Sequence, residues 1–250
     1  MNRLTDKVAI VTGASSGVGE SISKLFAAEG AIVFMIARRE NELKRVADEI
    51  SAAGGKAIPF VGSVCKEEDV EKLFRLAYDA YEHIDIVVNN AGTTGHNYGI
   101  ATVTEEDCYE LYETNTIGSM RCFREGLKYM LPAGKGTFVS IGSVGGVLGK
   151  GGAAYAMTKG GQVALAKQVA FEYSCEGIRS NVICPDGIRT PLLNNRPDPH
   201  IVDRCKAHSC TGIGICEPEE VAYTALFLAS DESSGINGQA VICNKGTNLC

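Results

Sequence analysis

The sequence predicts an α/β fold in which a parallel sheet of about seven strands is wound with helices on both faces. Short apolar runs alternate along the chain with segments whose apolar residues recur every three or four positions, which is typical of β-α-β units. The apolar runs are continuous, as expected for strands that are covered on both sides. The predicted strands are Val8–Thr12, Ile32–Ala37, Ala57–Val61, Ile84–Asn89, Thr137–Ile141, Asn181–Cys184 and Ala240–Cys243.

The segments between these strands carry the apolar stripes of amphipathic helices. The stripes of the first three predicted helices are Val18, Ile22, Leu25 and Phe26; Leu43, Val46, Ala47 and Ile50; and Val70, Leu73, Phe74 and Ala77. A longer helical stretch is predicted over Glu105–Leu131, and a proline in the first turn supports another helix over Glu217–Ser230. The chain of 250 residues is long enough for one doubly wound, Rossmann-type sheet, so residues 1–250 are predicted to form a single domain.

Residues 190–215 interrupt this alternation. The segment contains Pro191, Pro197, Pro199, Gly212 and Gly214, and its helical pattern is poor. Long irregular segments late in an α/β fold often cover a ligand cleft. Residues 190–215 are therefore predicted to form a lid over the substrate.

Composition and charge argue against several classes of partner. The net charge of −6 argues against a nucleic-acid partner, because phosphate binding requires clustered positive charge. No apolar run approaches the ~20 residues of a membrane span. The charged residues near Met1 do not resemble a signal peptide, so we expect a cytoplasmic protein without a membrane partner.

The chain contains ten cysteines, which we expect to be reduced in a cytoplasmic protein. Several of them lie with histidines in one stretch: His200, Cys205, His208, Cys210 and Cys216. Their spacing matches no common zinc module, so no metal site is predicted.

A glycine-rich turn follows the first predicted strand and opens the first helix. It occupies Thr12–Gly19 and reads T-G-A-S-S-G-V-G. Glycines in such a turn let the backbone approach a pyrophosphate, whose charge is favoured by the helix N-terminus. The turn therefore predicts a dinucleotide site.

The end of the second strand predicts which dinucleotide is preferred. A site for NAD would place an acidic residue there to bind the ribose 2′-hydroxyl, but the chain reads Ala37-Arg38-Arg39. Arginine side chains can instead bind a 2′-phosphate through forked hydrogen bonds. The alternative is that both arginines are solvated and that Glu40 supplies the acid. We predict NADP(H) in preference to NAD(H), with Arg38 as the main contact.

Ser143, Tyr155 and Lys159 are the candidate catalytic residues. Tyr155 and Lys159 are spaced so that both project from the same face of a helix. An ammonium beside a phenol favours the phenolate, which would lower the pKa of the tyrosine from about 10 toward the working pH. Such a tyrosine can exchange a proton with a substrate oxygen.

In order along the chain, these motifs resemble those of the short-chain dehydrogenase/reductase family. The resemblance also includes Asn89–Gly92 (N-N-A-G), Asn115, Tyr155–Lys159 (Y-A-M-T-K) and a late E-P-E-E-V-A…F-L-A-S-D segment. It covers essentially the whole chain. It implies a dinucleotide-binding catalytic domain that forms homotetramers or dimers through its long helices and C-terminal strand.

The resemblance implies a role for each of four catalytic residues. Tyr155 would be the acid/base, and Lys159 would lower the pKa of Tyr155 and bind the nicotinamide ribose. Ser143 would bind the substrate oxygen, and Asn115 would kink its helix and hold a water linked to Lys159. The implied cofactor contacts are Gly13, Ser15, Ser16, Gly17, Val18, Gly19, Arg38, Arg39, Ser63, Val64, Asn89, Ala91, Gly92, Tyr155, Lys159, Pro185, Gly187, Ile188 and Thr190.

Three positions depart from the family pattern. Asp186 separates Pro185 from Gly187, Ser63 stands where an Asp is common, and Asn244-Lys245-Gly246 replaces Asp-Gly-Gly. Asp186 either acts on the substrate or nicotinamide side of the cleft or faces outward in a turn, where Asp is common.

The predicted function is an NADP-dependent oxidoreductase that interconverts a secondary alcohol and a ketone. The apolar Val144–Gly152 segment and the lid favour a hydroxysteroid or similar bulky substrate. An alternative is a 3-oxoacyl-(acyl-carrier-protein) reductase, which would need a basic docking face such as Arg121, Arg124 and Lys128. An alternative of another class is a non-catalytic NADP-binding sensor, which the complete catalytic set argues against.

Overall fold

A computed structural model of the protein describes residues 2–194 and 214–247. The described residues form a seven-stranded parallel sheet with the strand order β3-β2-β1-β4-β5-β6-β7, which confirms the predicted α/β fold. Its strands are β1 Val8–Thr12, β2 Ile32–Ala37, β3 Lys56–Val61, β4 Ile86–Asn89, β5 Gly136–Ile141, β6 Ile178–Pro185 and β7 Ala240–Cys243.

Helices cover both faces of this sheet. They are α1 Gly17–Ala28, α2 Glu40–Ala52, α3 Glu67–Tyr81, α4 Glu105–Tyr112, α5 Gly118–Ala133, α6 Gly145–Leu148, α7 Ala153–Tyr173 and α8 Pro218–Ala229. One apolar core lies between the sheet and α1, α2 and α8, and the other lies between the sheet and α3, α5 and α7. The predicted apolar stripes of the first three helices face these cores.

The boundaries of β6 differ from the prediction. The strand begins at Ile178 and includes the charged Arg179, which interrupts the apolar pattern but is hydrogen-bonded to the end of α8. Its guanidinium donates to the backbone oxygens of Leu228 and Ser230, each at 3.1 Å. An arginine can occupy a strand in this way because the carbonyls at a helix end need donors.

The prediction that all strands are covered on both faces is wrong for β3 and β7. Both lie at the edges of the sheet, and most of their residues are partly or fully exposed. The helical stretch predicted over residues 105–131 is also interrupted, because a π-helical turn at Glu113–Ile117 separates α4 from α5. Of the helices in the described part of the chain, none is long and apolar enough to cross a membrane.

The strand order reverses beside β1, and this reversal positions the site. β1 pairs with β2 on one side and with β4 on the other, so the connections that follow β1 and β4 leave in opposite directions. Loops that diverge at the carboxyl ends of neighbouring parallel strands leave a crevice between them. The glycine-rich turn and the N-N-A-G segment both border this crevice.

Candidate active site

A cleft of about 480 Å³ opens at the carboxyl edge of the sheet. Most of the residues predicted to contact the cofactor line it: Gly13, Ser15, Ser16, Gly17, Val18, Arg38, Arg39, Ser63, Val64, Ala91, Gly92, Tyr155, Lys159, Ile188 and Thr190. Gly19, Asn89, Pro185 and Gly187 are also predicted contacts, but they are not among the residues that line the cleft. Sequence reasoning missed other lining residues, most of them next to predicted ones: Ile36, Ala37, Gly62, Cys65, Asn90, Thr93, Thr114, Ile141, Gly142, Pro191 and Leu192.

The glycine-rich turn is held against the N-N-A-G segment by Asn90. The Nδ2 atom of Asn90 donates to the backbone oxygens of Thr12 at 2.8 Å and Gly13 at 3.2 Å. A Cβ atom at Gly13, where φ is +66°, would lie 2.9 Å from the Cα atom of Ala91. A Cβ atom at Gly19 would lie 2.4 Å from the oxygen of Gly13. Gly19 therefore shapes the cleft by permitting this packing, without lining it.

We expect Gly19→Ala to weaken cofactor binding at least ~10-fold and to lower the unfolding temperature, because the new methyl group would displace the turn backbone. Fluorescence titration with NADPH and thermal unfolding would measure the two effects. Gly235→Ala is the matched control, because a Cβ atom there meets nothing within 4 Å. Equal cofactor affinity in both variants would contradict the packing role of Gly19.

Asn89 does not border the cleft as predicted. Its side chain is buried, and neither its amide oxygen nor its amide nitrogen has a hydrogen-bond partner among the described residues. Successive strand residues point to opposite faces of a sheet. Asn89 is the last residue of β4 and points into the layer of helices, whereas Asn90 follows the strand and reaches the crevice.

Arg39 lies over the glycine-rich turn. Its guanidinium donates to the hydroxyl oxygens of Ser15 at 3.0 Å and Ser16 at 2.5 Å. Arg38 lines the same corner of the cleft. Among the described residues that line the cleft, none is acidic, and Glu40 is not part of its wall. This corner therefore presents positive charge and hydroxyl groups to an anion.

Tyr155 and Lys159 also line the cleft, and Ser143 lies beside Tyr155 without being one of the lining residues. A hydrogen bond joins the side chains of Ser143 and Tyr155, and the Ser143 hydroxyl also accepts from the backbone N–H of Gly145 at 3.0 Å. The Nζ atom of Lys159 lies 5.9 Å from the centre of the Tyr155 ring. The serine and tyrosine hydroxyls can thus meet one substrate oxygen.

The pKa values of this pair differ from the prediction. Burial raises the pKa of Tyr155, and the hydrogen bond from Ser143 opposes that rise. Burial also lowers the pKa of Lys159 to about 8. A low-dielectric environment disfavours both the phenolate and the ammonium, and burial is the largest cause of both shifts. The predicted lowering of the pKa of Tyr155 by the lysine is therefore wrong for the structure as described.

Asn115 is completely buried in the π-helical turn. Its Nδ2 atom donates to the backbone oxygen of Thr93 at 2.9 Å and to the hydroxyl of Thr158 at 3.0 Å. Its Oδ1 atom accepts the N–H of Thr93 at 2.8 Å. The expected kink is thus a widened helical turn, and the side chain ties the loop after β4 to α7. The water predicted beside Asn115 stays a prediction.

Asp186 connects two segments that are distant in the sequence. Its carboxylate accepts from the Lys150 ammonium at 2.9 Å and from the Thr247 hydroxyl at 2.6 Å. Lys150 belongs to the loop that also carries Gly151, where a Cβ atom would lie 3.5 Å from the Tyr155 ring. The side chain is therefore engaged between two segments, which does not fit the alternative of an outward-facing turn residue.

Two predictions fall largely outside the described residues. Residues 195–213 of the predicted lid are not described, and neither are four of the five possible metal ligands in that region, namely His200, Cys205, His208 and Cys210. Cys216 is described and is a buried free thiol. The described part of the chain contains no cluster of three or more side chains suited to a metal ion.

Comparisons with known proteins agree with this geometry. A family model described as enoyl-(acyl carrier protein) reductase matches residues 13–248. A 3beta-hydroxysteroid dehydrogenase of Mediterraneibacter gnavus is 33% identical over 98% of this chain and 96% of its own length. A 3-oxoacyl-(acyl-carrier-protein) reductase of Thermotoga maritima is 34% identical over 96% of this chain and 96% of its own length.

A solved structure also matches. It is a 3-ketoacyl-(acyl-carrier-protein) reductase from Brucella melitensis complexed with NADH, with a TM-score of 0.86 and 29% identity, covering 98% of this chain and 99% of its own. The chain therefore belongs to the short-chain dehydrogenase/reductase family. It is an NAD(P)-dependent alcohol dehydrogenase or ketone reductase that acts on small molecules.

Proposed function

We propose that the protein is a cytoplasmic NADP(H)-dependent oxidoreductase that interconverts a secondary alcohol and a ketone, within a single catalytic domain. The observation that carries the proposal is one cleft that is lined both by Tyr155, which is bonded to Ser143, and Lys159 and by Arg38 and Arg39. The first group is suited to proton exchange with a substrate oxygen, and the two arginines are suited to a phosphate.

The residues of the cleft fit a nicotinamide dinucleotide. Gly13 and Gly17 both have positive φ, and a Cβ atom at Gly17 would lie 3.0 Å from the Thr190 side chain. The turn therefore excludes side chains at these positions, so that its backbone can approach a pyrophosphate. The N-terminus of α1 would favour the pyrophosphate charge, and Arg39 would bind a 2′-phosphate. The nicotinamide, when bound, supplies or accepts the hydride.

The protein's own part in the reduction is to bind the ketone and to transfer a proton. The hydroxyl of Ser143 donates to the ketone oxygen and stabilises the charge that develops there. The hydroxyl of Tyr155 then gives its proton to the same oxygen, which yields the alcohol. The ammonium of Lys159 stabilises the phenolate that remains on the tyrosine.

The preferred substrate class is a hydroxysteroid or a similar bulky alicyclic alcohol. Large apolar side chains are exposed in the segments next to the cleft residues Tyr155 and Thr190, and they are Val147, Leu148, Met157, Leu192 and Leu193; of these, Leu192 lines the cleft itself. Such side chains can line the apolar pocket that a bulky substrate needs. One relative at 33% identity is named as a hydroxysteroid dehydrogenase, which agrees with this preference.

A 3-oxoacyl-(acyl-carrier-protein) reductase is the second candidate, because another relative of similar identity bears that name. The basic face that it would need is largely neutralised. Ion pairs join Arg121 to Glu113, Arg124 to Glu67 and Lys128 to Glu125. These pairs weaken the attraction for an acidic carrier protein.

A turnover panel tests these proposals. Steroid alcohols, sugar alcohols and acyl thioesters would be assayed by following NADPH absorbance, with NADH as the parallel cofactor. A steroid preference supports the first candidate, and an acyl thioester preference supports the second. Binding of NADPH without turnover of any substrate would instead support a non-catalytic sensor.

We also propose that the protein forms a homotetramer or a homodimer. Phe171 on α7 is 89% exposed and Tyr109 on α4 is 70% exposed. Large exposed aromatic side chains are enriched at protein interfaces. Light scattering would measure the mass in solution, and a monomeric mass would contradict the proposal.

We expect Asp186→Asn to raise the substrate KM about two- to tenfold while NADPH affinity stays unchanged, because the Lys150 contact orders the loop beside Tyr155. A double-mutant cycle with Lys150→Gln would measure the coupling. The double variant should lose little more than either single variant. Additive losses, or a change in NADPH affinity alone, would contradict this role.

A further inference from the structure

Beneath the cleft, α5 and α7 bury a chain of hydrogen-bonded polar side chains. The Nζ atom of Lys159 donates to the backbone oxygen of Ile141 at 2.8 Å and to the Oε1 atom of Gln162 at 3.0 Å. The Nε2 atom of Gln162 donates to the hydroxyl of Ser119 at 2.9 Å. That hydroxyl donates to the backbone oxygen of Asn115 at 2.9 Å. The chain of bonds thus joins Lys159 to the π-helical turn.

Packing alone does not require a polar residue at position 162. Gln162 is 0% exposed, and its helical neighbours Val163 and Ala166 fill the same core with apolar side chains. Burying an amide costs free energy unless its polar atoms are hydrogen-bonded. Both polar atoms of Gln162 have partners, so the contacts to Lys159 and Ser119 offset this cost.

The chemistry of these groups determines which of them donates and which accepts in each hydrogen bond of the series. An ammonium only donates hydrogen bonds, so the amide of Gln162 must turn its oxygen toward Lys159 and its nitrogen toward Ser119. A hydroxyl can accept from that nitrogen and donate onward to Asn115. An amide transfers protons poorly compared with a hydroxyl or a water. This series of hydrogen bonds therefore holds the ammonium in place and does not conduct a proton.

We propose that Gln162, held by Ser119, is a positioning residue that orients the ammonium of Lys159 and favours its charged form. The proposal rests on the function proposed above for Lys159. Two of the three N–H groups of the ammonium are engaged by Gln162 and Ile141, which leaves one for the cleft. The Nζ atom lies 3.4 Å from the point where a Cβ atom at Gly92 would stand, at the cleft wall.

The surroundings of Lys159 explain why an acceptor matters. Burial lowers the pKa of Lys159 to about 8. In the described residues, the titratable groups that face the ammonium are Tyr155 on its own helix and Cys184 on β6. Burial raises the pKa of the Cys184 thiol, which favours its neutral form. No carboxylate in the described part of the chain therefore offsets the burial of the ammonium, and the two acceptor oxygens favour its charged form.

The test is an NMR titration of protein labelled with ¹³C in the lysine side chains, with the Lys159 signal assigned by its loss in Lys159→Arg. We expect the titration midpoint to fall by about one unit in Gln162→Leu, because a hydrogen bond to a charged group is lost. We expect it to rise in Gln162→Glu, because a carboxylate stabilises the ammonium. Gln162→Met replaces Gln162→Leu if the leucine variant does not fold.

Two further variants test how the effect arises. Ser119→Ala should shift the midpoint in the same direction as Gln162→Leu but by less, because the amide loses its anchor and keeps its contact to Lys159. Gln168→Leu is the matched control on the same helix, because Gln168 is exposed and bonds to Glu172. The control should leave the midpoint unchanged.

The pH profile of kcat/KM gives a second measurement. Reduction of the ketone needs the neutral tyrosine beside a charged lysine, so this activity falls as the lysine loses its proton at high pH. This fall should move to lower pH in Gln162→Leu and to higher pH in Gln162→Glu. A purely structural role for Gln162 would lower activity without moving the two variants in opposite directions.

The outcomes separate this proposal from the proposed function. An identical Lys159 midpoint in the wild type, Gln162→Met and Gln162→Glu would overturn the role of Gln162, whatever the enzyme turns over. Absence of turnover in the wild type would contradict the proposed function alone. Opposite shifts in the leucine or methionine variant and the glutamate variant, with Gln168→Leu unchanged, would support the positioning role.

Discussion

Tyr155→Phe is expected to lower kcat at least ~10²-fold, the usual contribution of a general acid or base, while NADPH binds with nearly unchanged affinity. The substitution removes the hydroxyl that bonds to Ser143 and leaves the ring to pack as before. Only the step in which a proton reaches the substrate oxygen should therefore suffer. Steady-state kinetics and fluorescence titration with NADPH would measure the two quantities separately.

Tyr223→Phe is the matched control for this variant. Tyr223 is 59% exposed on α8 and lies outside the residues that line the cleft. It should keep wild-type kcat. Near-normal turnover in Tyr155→Phe would show that another group supplies the proton, and a parallel loss of NADPH binding would show that the ring was misplaced.

Arg39→Ala is expected to lower kcat/KM with NADPH about 10- to 100-fold and to change kcat/KM with NADH little, because a charge-assisted hydrogen bond to the 2′-phosphate is lost. The sequence alone favours Arg38 for this role. The bonds from Arg39 to Ser15 and Ser16 make it the residue that the structure holds over the glycine-rich turn. Arg38→Ala should therefore have the smaller effect.

Reversal of the preference requires a repulsive element as well as the loss of attraction. Adding Ala37→Asp to an arginine variant should favour NADH, because a carboxylate repels the 2′-phosphate and accepts from a ribose hydroxyl. Lys44→Ala is the control, because Lys44 is an exposed cation on α2 away from the cleft. A wild-type enzyme with higher kcat/KM for NADH would contradict the cofactor proposal.

Local sequence patterns were sufficient to predict most strands and more than half of the residues that line the cleft. A continuous apolar run such as Ile32–Ala37 predicts a buried strand wherever it lies in the chain, because the burial of its side chains is the dominant favourable term. The glycine-rich turn and the Tyr155–Lys159 pair are equally local, since their geometry depends on neighbours within a turn or two of helix. These features needed no knowledge of the rest of the fold.

Local sequence patterns could not predict which strands lie at the edges of the sheet or where a helix is interrupted. The run Ala57–Val61 looks like a covered strand, but its place at the sheet edge leaves it partly exposed. The segment Glu105–Leu131 has one helical period, but the contacts of Asn115 with Thr93 and Thr158 accompany a π-helical turn in its middle. In both cases the deciding partners lie on other elements.

The sequence by itself determined the fold class, the family and the identity of the candidate proton donor, because each depends on local periodicity or on short motifs. Only the tertiary structure decided that Arg39 covers the glycine-rich turn, that Asn90 lines the crevice in place of Asn89, and that Gln162 bonds to Lys159 and Ser119. The direction of the pKa shift at Tyr155 was likewise decided only by the tertiary structure. Hydrogen bonds between distant segments and the cost of burying charge depend on which atoms surround a group, and a sequence pattern does not specify those atoms.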